Sequence, residues 1–189
     1  MVHVKKVEIF GFKSFGFRNT TVNFEPGLVS ISGPNGSGKS NILDAIIFAM
    51  GENKPKVMRV DKLRSLIHDI EGSGRRGPKM ARSSVHFDNT DRKIPVDSDV
   101  VEITRELDEN GDNTYYLNKK KTQRSHILDL LDMATAGLGQ LNAVQQGTVT
   151  RISEFTSEEK RKTLEELIEI SYFDEKNTKY TTQLDEADR

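Results

Sequence analysis

The chain contains no cysteine among its 189 residues, and this absence excludes disulfide bonds and metal sites built on thiolates. Long apolar runs are also missing, since none approaches the ~20 residues that a membrane-spanning helix requires. The sequence shows no stretch typical of a secretory signal peptide. Together these absences favour a cytoplasmic protein.

Neither sign of charge predominates in the sequence. Its 28 Lys and Arg residues are balanced by 29 Asp and Glu residues, which gives a formal net charge of −1. Total charge therefore predicts neither a nucleic-acid-binding nor a membrane-binding protein, and only a local basic patch could provide such a function.

Residues 33–40, GPNGSGKS, match the pattern G-x-x-x-x-G-K-[ST] of a phosphate-binding P-loop. The glycines of this segment can adopt backbone angles that turn successive N–H groups inward, which forms a nest for phosphate oxygens. Lys39 can bridge the β- and γ-phosphates, and the hydroxyl of Ser40 can ligate Mg²⁺. The segment therefore predicts a site for ATP and Mg²⁺.

The flanking segments agree with a P-loop. Residues 28–32 predict a strand that runs into the loop, and residues 41–50 predict an apolar helix that stops at Gly51. A glycine-rich turn in front of a helix is the alternative, but the spacing, the Lys-Ser pair and the strand–loop–helix order all favour the P-loop.

The other apolar patterns predict short strands and one further helix. A turn at residues 109–112 separates two of these strands and predicts a hairpin. We expect strands at residues 7–10, 20–24, 84–87, 100–105 and 114–117, a basic glycine-rich loop at 71–80, and a helix at 123–133.

A second ATPase motif is missing. P-loop ATPases need an apolar run that ends in an acidic Mg²⁺ ligand, and the two nearest matches, residues 100–102 and 127–129, belong to a predicted strand and a predicted helix. Residues 72–74 (GSG) do not form a phosphate-contacting signature motif either. The sequence therefore predicts a complete phosphate cradle with an incomplete catalytic set.

The C-terminal segment predicts a helix that leaves the domain. Thr156 and Glu159 have the spacing of a capping box, and a coiled-coil seam with 4-3-4-3 spacing begins at Phe173. The seam covers only about two heptads, so an ordinary amphipathic helix fits it equally well. We divide the chain into a lobe of residues 1–155 and a segment of residues 156–189 with the exit helix and the start of a coiled coil.

Several stretches, taken in order, resemble the N-terminal half of the ATPase head of SMC (structural maintenance of chromosomes) proteins, and of prokaryotic members in particular. They are GFKSF at 11–15, GPNGSGKSN at 33–41, Met58-Arg59 with Leu66-Ile67, Gln146-Gly147 and EEKRKTLEE at 158–166. The resemblance runs from Val4 to about residue 174. It implies an α/β, ABC-ATPase-like half-head with a mixed N-terminal β-sheet and a P-loop strand. The missing motifs would then belong to a C-terminal half of the head.

The resemblance assigns roles to the phosphate site. Lys39 contacts the β- and γ-phosphates, Ser40 ligates Mg²⁺, and Gln146 resembles the Q-loop glutamine that completes the Mg²⁺ shell, with Gln145 as the neighbouring alternative. Arg59 resembles an arginine-loop residue that supports ATP binding or hydrolysis. The triphosphate-binding set is Gly33, Pro34, Asn35, Gly36, Ser37, Gly38, Lys39, Ser40 and Asn41.

Further nucleotide contacts are implied outside the P-loop. Lys13 and Ser14 resemble residues that approach the nucleotide from the first hairpin. A patch that flanks the base is formed by Ser65, Leu66, Ile67 and His68. The sequence departs from the family at His68, where an apolar residue is usual, and at Glu169, where glycine is usual.

The implied partners are the C-terminal half of the same head, a second SMC head in a homodimer, a kleisin-type subunit and DNA bound without sequence specificity. Lys62 and Arg124 are our DNA candidates, although scattered solvated lysines explain the same charges equally well. The expected function is an ATP-sandwich ATPase that drives chromosome condensation and segregation, associated with the nucleoid. The alternatives are a double-strand-break repair or RecF/RecN-type ATPase, and a nucleotide-binding module that does not hydrolyse ATP.

Overall fold

The structure is a computed structural model that describes residues 2–69 and 77–134, together with Thr156 and Arg161. The chain divides into two compact units, Met1–Leu141 and Asn142–Arg189. Several predictions lie outside the described residues: the first six residues (71–76) of the basic loop predicted at 71–80, Gln145 and Gln146, Glu169, and the seam from Phe173. The domain division after residue 155 stays a prediction.

A six-stranded sheet forms the body of the first unit, in the order β2-β1-β3-β4-β5-β6. Every pairing in it is antiparallel. The predicted hairpin is confirmed as β4 with β5, and β6 was not predicted because its KKT segment has no apolar pattern. The strands are β1 (His3–Phe10), β2 (Thr20–Asn23), β3 (Met80–Asp88), β4 (Val100–Asp108), β5 (Asn113–Leu117) and β6 (Lys120–Thr122).

Helix α1 spans Lys39–Ala49 and packs against β1, β3 and β4. It confirms the predicted helix and begins two residues before the predicted start. Alternation along β1 directs Val7 and Ile9 into the core, and α1 contributes Phe48 to the same core. A second helix, α2, spans Arg124–Met133 and confirms the prediction at 123–133.

Arg105 in β4 is a fully buried arginine that ties α1 to the sheet. Its guanidinium donates to the carbonyl oxygens of Phe48 (3.0 Å) and Glu52 (2.6 Å). It also donates to the side-chain oxygens of Asn53 (2.7 Å) and Asn113 (2.8 Å). Burial lowers the pKa of Arg105 to about 10, and the hydrogen bonds offset part of that cost. The C-terminal end of α1 is therefore anchored to β4.

Residues 28–32 differ from the strand that the sequence predicts. They form no strand, and Leu28 (102%), Val29 (41%) and Ile31 (42%) are exposed. An extended apolar segment becomes a strand only when a neighbouring strand takes up its backbone N–H and C=O groups. None of the described strands pairs with this segment.

Within residues 2–69 and 77–134, no helix combines the length and the apolar character that a membrane crossing would require. Two short 3₁₀ helices, Pro55–Met58 and Leu63–Leu66, follow α1 and were not predicted. They carry the segment that contains Arg59 back toward the first hairpin, which is formed by β1 and β2.

Candidate functional site: the phosphate-binding loop

The predicted P-loop leads directly into the N-terminus of α1. Gly38 is the N-cap residue and has a φ of 91°, while Gly36 has a φ of 81°. Both angles lie in the left-handed region, which costs a residue with a Cβ about 1–2 kcal/mol. The glycines at these two positions therefore permit the turn that brings the loop to the helix.

Lys39 lies over the carbonyl oxygens of the loop. Its Nζ donates to Gly33 O and Pro34 O, each at 2.7 Å. A cation held by neutral carbonyls can exchange them for phosphate oxygens, because charge-assisted hydrogen bonds are the stronger ones. Ser40, the next residue, is exposed in the first turn of the helix.

The first hairpin contacts the P-loop through Ser14. Asn41 Nδ2 donates to Ser14 Oγ at 2.9 Å, and a Cβ placed on Gly38 would lie 2.6 Å from the same oxygen. The structure therefore brings Ser14, Gly38 and Asn41 together, as expected for residues of one site. Ser14 is exposed beside the loop.

Lys13 does not share this placement. Its Nζ donates to Asp44 Oδ2 at 2.6 Å and to Met58 O at 2.5 Å, and only 12% of its side chain is exposed. The expected approach of Lys13 to the nucleotide is therefore replaced by an inward interaction with α1. Burial favours that pairing because an unpaired ammonium in the interior would be costly.

Arg59 meets the same carboxylate. Its Nη2 donates to Asp44 Oδ2 at 2.5 Å. The backbone at Arg59 has a φ of 56°, and 42% of its side chain is exposed. One end of the guanidinium is thus held by α1 while part of the group reaches solvent.

The patch at residues 65–68 is divided between the core and a groove. Ser65, Ile67 and His68 line a groove of about 740 Å³, and their base contacts stay predictions. Leu66 is fully buried, so its side chain offers no exposed surface to a base. When the His68 ring carries its proton on Nδ1, that nitrogen donates a hydrogen bond to Lys13 O at 2.5 Å. This hydrogen bond stabilises the turn of the first hairpin.

The two DNA candidates have different surroundings. Lys62 is exposed and lines the same groove as His68. Arg124 is partly buried, and its Nε donates to Gly51 O at 2.8 Å. A guanidinium at that place stabilises the negative end of the α1 dipole, so Arg124 has a structural role that competes with a DNA contact.

The residues of the loop fit ATP and Mg²⁺. A Cβ at Gly36 would meet nothing within 4 Å, so there is open space beside the loop. The first N–H groups of α1 and the ammonium of Lys39 match the charge and acceptor oxygens of a triphosphate. The Ser40 hydroxyl is the kind of oxygen ligand that Mg²⁺ prefers.

The described part of the chain has no candidate metal centre made of acidic and imidazole groups. No group of three His, Asp or Glu side chains that could hold a metal ion lies within residues 2–69 and 77–134. Gln146, the other predicted Mg²⁺ ligand, is outside those ranges, so its role stays a prediction.

Asp44 is the residue that sequence reasoning missed. It is 1% exposed in the middle of α1 and accepts hydrogen bonds from both Lys13 and Arg59. The signal was present as the single charged residue in the apolar segment NILDAIIFAM. A carboxylate is almost never fully buried unless it is paired, so its position in the helix pattern already required a cationic partner.

The comparisons with known proteins all indicate the same family. The family model described as RecF/RecN/SMC N terminal domain matches residues 3–146. The chromosome partition protein Smc of Pyrococcus furiosus is 36% identical over 189 residues, which cover 100% of this chain and 16% of that protein. The chain thus spans about one sixth of the length of that curated relative.

Solved structures agree in fold. The Smc head domain of Pyrococcus furiosus with an extended coiled coil, bound to the C-terminal domain of ScpA, has a TM-score of 0.83 and 35% identity over 100% of this chain and 47% of that chain. A chain from a study of ATP-driven dimerization and DNA-stimulated activation of SMC ATPases has a TM-score of 0.82 and 36% identity over 87% of this chain and 99% of that one. A RecF structure is 21% identical with a TM-score of 0.51 over 67% of this chain and 30% of that chain, a likeness in fold alone.

Proposed function

The chain belongs to the RecF/RecN/SMC N-terminal domain family, and from this premise we propose that it is the ATP-binding half of an SMC head. Together with the C-terminal half of the head and a second head, it forms an ATP-sandwich ATPase. The cycle of head engagement and hydrolysis drives chromosome condensation and segregation. The related Smc of Pyrococcus furiosus carries the name chromosome partition protein.

One observation carries the proposal: a phosphate loop with an open approach follows an apolar segment that pairs with none of the described strands. Val29 and Ile31 are more than two-fifths exposed, although their alternation suits a buried strand. The segment leads straight into Gly33, so the sheet that should support the loop is incomplete in the described residues. The C-terminal half of the head supplies the missing strands.

The site residues act in the following way. Lys39 and the N-terminus of α1 bind the β- and γ-phosphates, and Ser40 with Gln146 ligates Mg²⁺. Arg59 supplies a further positive charge near the phosphates. Bound ATP-Mg supplies the phosphoryl group and its charge-neutralising cation, and catalysis then requires the acidic residues of the C-terminal half.

The partners follow from the relatives. The Smc heads of known structure include one bound to the C-terminal domain of ScpA, and we propose that this chain also assembles with a kleisin-type subunit and a second copy of the head. DNA binds without sequence specificity through phosphate contacts, and salt lowers the affinity of this binding. Lys62 contributes to this contact, while Arg124 is partly occupied at the end of α1.

A reconstitution experiment tests the proposal. The chain is mixed with the purified C-terminal half of the head, and phosphate release from Mg-ATP is measured for each half and for the mixture. We expect turnover in the mixture alone, and its loss in Lys39→Ala and Ser40→Ala. Lys54→Ala, which changes an exposed lysine beyond α1, serves as the control. Nucleotide binding without any turnover in the mixture would support a non-hydrolysing module instead.

A further inference from the structure

We propose that Asp44 is a positioning residue that fixes Arg59 relative to the phosphate-binding loop, an inference that rests on the proposed ATPase function. The carboxylate does so by accepting hydrogen bonds from two cations that arrive from different parts of the chain. Lys13 comes from the turn after β1, and Arg59 comes from the end of the Pro55–Met58 3₁₀ helix.

The geometry at Asp44 is well defined. Its Oδ2 lies 2.6 Å from Lys13 Nζ and 2.5 Å from Arg59 Nη2, and only 2% of its side chain is exposed. Two cations on one carboxylate leave a local formal charge of +1. The pairing therefore satisfies the buried acid and still presents positive charge, which suits a site for phosphates.

Lys13 is the fixed member of the cluster. Its backbone N–H donates to Leu66 O at 2.7 Å, and its carbonyl accepts a hydrogen bond from the His68 ring at 2.5 Å. Its ammonium also donates to Met58 O at 2.5 Å. Lys13 therefore connects α1 to the residue directly before Arg59, and it is not available to a ligand.

Arg59 is the member that can reach a ligand. Its left-handed backbone, with φ of 56°, is supported by hydrogen bonds from Arg59 N to Lys56 O and from Val60 N to Pro55 O, each at 3.1 Å. With one guanidinium nitrogen on Asp44 and 42% of the side chain exposed, the group is directed but not enclosed. Holding it in one place avoids the loss of side-chain entropy when phosphate binds.

Helix α1 links this cluster to the phosphate loop. Ser40 and Asp44 are four residues apart and thus lie on one face of the helix, one turn from each other. Ser14, the neighbour of Lys13, accepts a hydrogen bond from Asn41 in the same first turn. The phosphate loop and Arg59 are therefore joined by a short run of direct contacts.

The change Asp44→Asn tests this arrangement with almost no change in volume. It leaves Lys13 and Arg59 as two adjacent cations without a counter-charge, and we expect Arg59 to leave its position. The first measurement is the nanosecond mobility of the Arg59 Nε–H group by ¹⁵N relaxation in the 189-residue chain without nucleotide. In the unmodified chain we expect the Arg59 Nε–H group to be more ordered than the Nε–H group of the exposed Arg64. In Asp44→Asn we expect the Arg59 group to be mobile.

Two controls separate positioning from a general loss of stability. Asp61→Asn removes an exposed carboxylate and should leave Arg59 ordered, and Asp44→Glu should restore part of the order that Asp44→Asn removes. If Asp44→Asn does not fold, the unmodified chain still decides the matter. The proposal is overturned if the Arg59 side chain is as mobile as that of Arg64 in the unmodified chain. It is also overturned if Arg59 stays ordered in a folded Asp44→Asn chain.

The second measurement uses the head reconstituted with its C-terminal half. We expect Asp44→Asn and Arg59→Ala to lower kcat/KM for ATP by similar factors, roughly tenfold to a hundredfold. The double variant should be no worse than Arg59→Ala, since both changes remove one interaction. Additive losses would overturn the proposal. A lack of turnover in the unmodified head would instead contradict the proposed function, and the mobility of Arg59 would still test Asp44.

Discussion

The Ser14 hydroxyl accepts a hydrogen bond from Asn41 Nδ2 at 2.9 Å, which joins the turn after β1 to the first turn of α1. The same hydroxyl closes one side of the phosphate loop, because Gly38 has no Cβ to collide with it. The turn after β1 and the predicted P-loop are thus parts of one site.

This contact predicts a difference between two glycines of the loop. Gly36→Ala should lower the free energy of unfolding by about 1–2 kcal/mol, because its left-handed backbone disfavours a Cβ. Gly38→Ala should cost more, since its Cβ would also lie 2.6 Å from Ser14 Oγ, whereas nothing lies within 4 Å of a Cβ at Gly36. Urea unfolding measures both, and Ser14→Ala added to Gly38→Ala should recover the excess. An equal cost for the two glycines would contradict the contact.

Arg105 should be the most important arginine for the stability of the first unit. Arg105→Met leaves the acceptors at Phe48, Glu52 and Asn53 without their donor. We expect a loss on the order of 3 kcal/mol, and Arg105→Lys should recover only part of it because an ammonium cannot reach all of these acceptors. The midpoint of urea unfolding measures the loss.

The control for Arg105 is Arg82, on the neighbouring strand. Arg105 lies over the ring of Phe48 at 4.2 Å, and Arg82 lies over the ring of Phe10 at 5.6 Å, but 38% of the Arg82 side chain is exposed. Arg82→Met should cost less than about 1 kcal/mol. Similar losses for the two variants would show that burial of the hydrogen bonds does not decide the effect.

His86 should make the fold sensitive to mild acid. Burial lowers the pKa of its imidazole below the ordinary 6.5, against the opposing effect of Glu102 and Glu8, whose carboxylate is 3.7 Å away. The unfolded chain therefore binds the proton more readily, and stability is lost as the pH falls from above 6.5 through the lowered value. Lys6 and Lys119 also face this group and lower its pKa further.

Thermal unfolding between pH 7.5 and 5.5 checks this expectation. His86→Gln should show a smaller fall in Tm over that range than the unmodified chain. His126→Gln, which changes an exposed imidazole on α2, should keep the unmodified profile. The explanation fails if His86→Gln leaves the slope unchanged.

The exposed segment before the P-loop should be an assembly surface. Val29→Asp and Ile31→Asp should weaken association with the C-terminal half by tenfold or more, roughly 1.4 kcal/mol, because they place a charge in what becomes a buried strand. The Tm of the chain alone should change little, since both side chains already face solvent.

The control for this surface is Val100→Asp, at the start of β4, where the side chain is 37% exposed. Analytical ultracentrifugation of the two halves measures the association. If Val29→Asp and Ile31→Asp leave the affinity between the two halves unchanged, residues 28–32 do not complete the sheet.

Local features were predicted well from the sequence. The P-loop, α1, α2 and the β4–β5 hairpin each depend on a turn motif or a repeating apolar pattern within a few residues. The placement of Lys13 was not predictable in this way. Nothing in the sequence around Lys13 indicates whether its side chain faces the ligand or a buried acid. The acid, Asp44, lies on a helix and is 31 residues away in the chain.

Arg124 shows the same limit for surface charge. Its place in a basic stretch favoured a DNA contact, but α2 brings it to Gly51 O, which is 73 residues earlier in the chain. Leu66 belonged to the patch that the resemblance places beside the nucleotide base, and packing buried it completely. Both outcomes depend on long-range contacts that no local pattern contains.

The amino-acid sequence alone determined the position of the predicted phosphate site, because a P-loop is built from a run of glycines, a lysine and a serine whose backbone and donors act within eight residues. Tertiary structure decided which charged groups can act there. Asp44 brings Lys13 and Arg59 to one oxygen, buries the first and leaves the second partly exposed. The physical reason is that the pairing of a buried charge depends on the residues that the fold brings within hydrogen-bond distance.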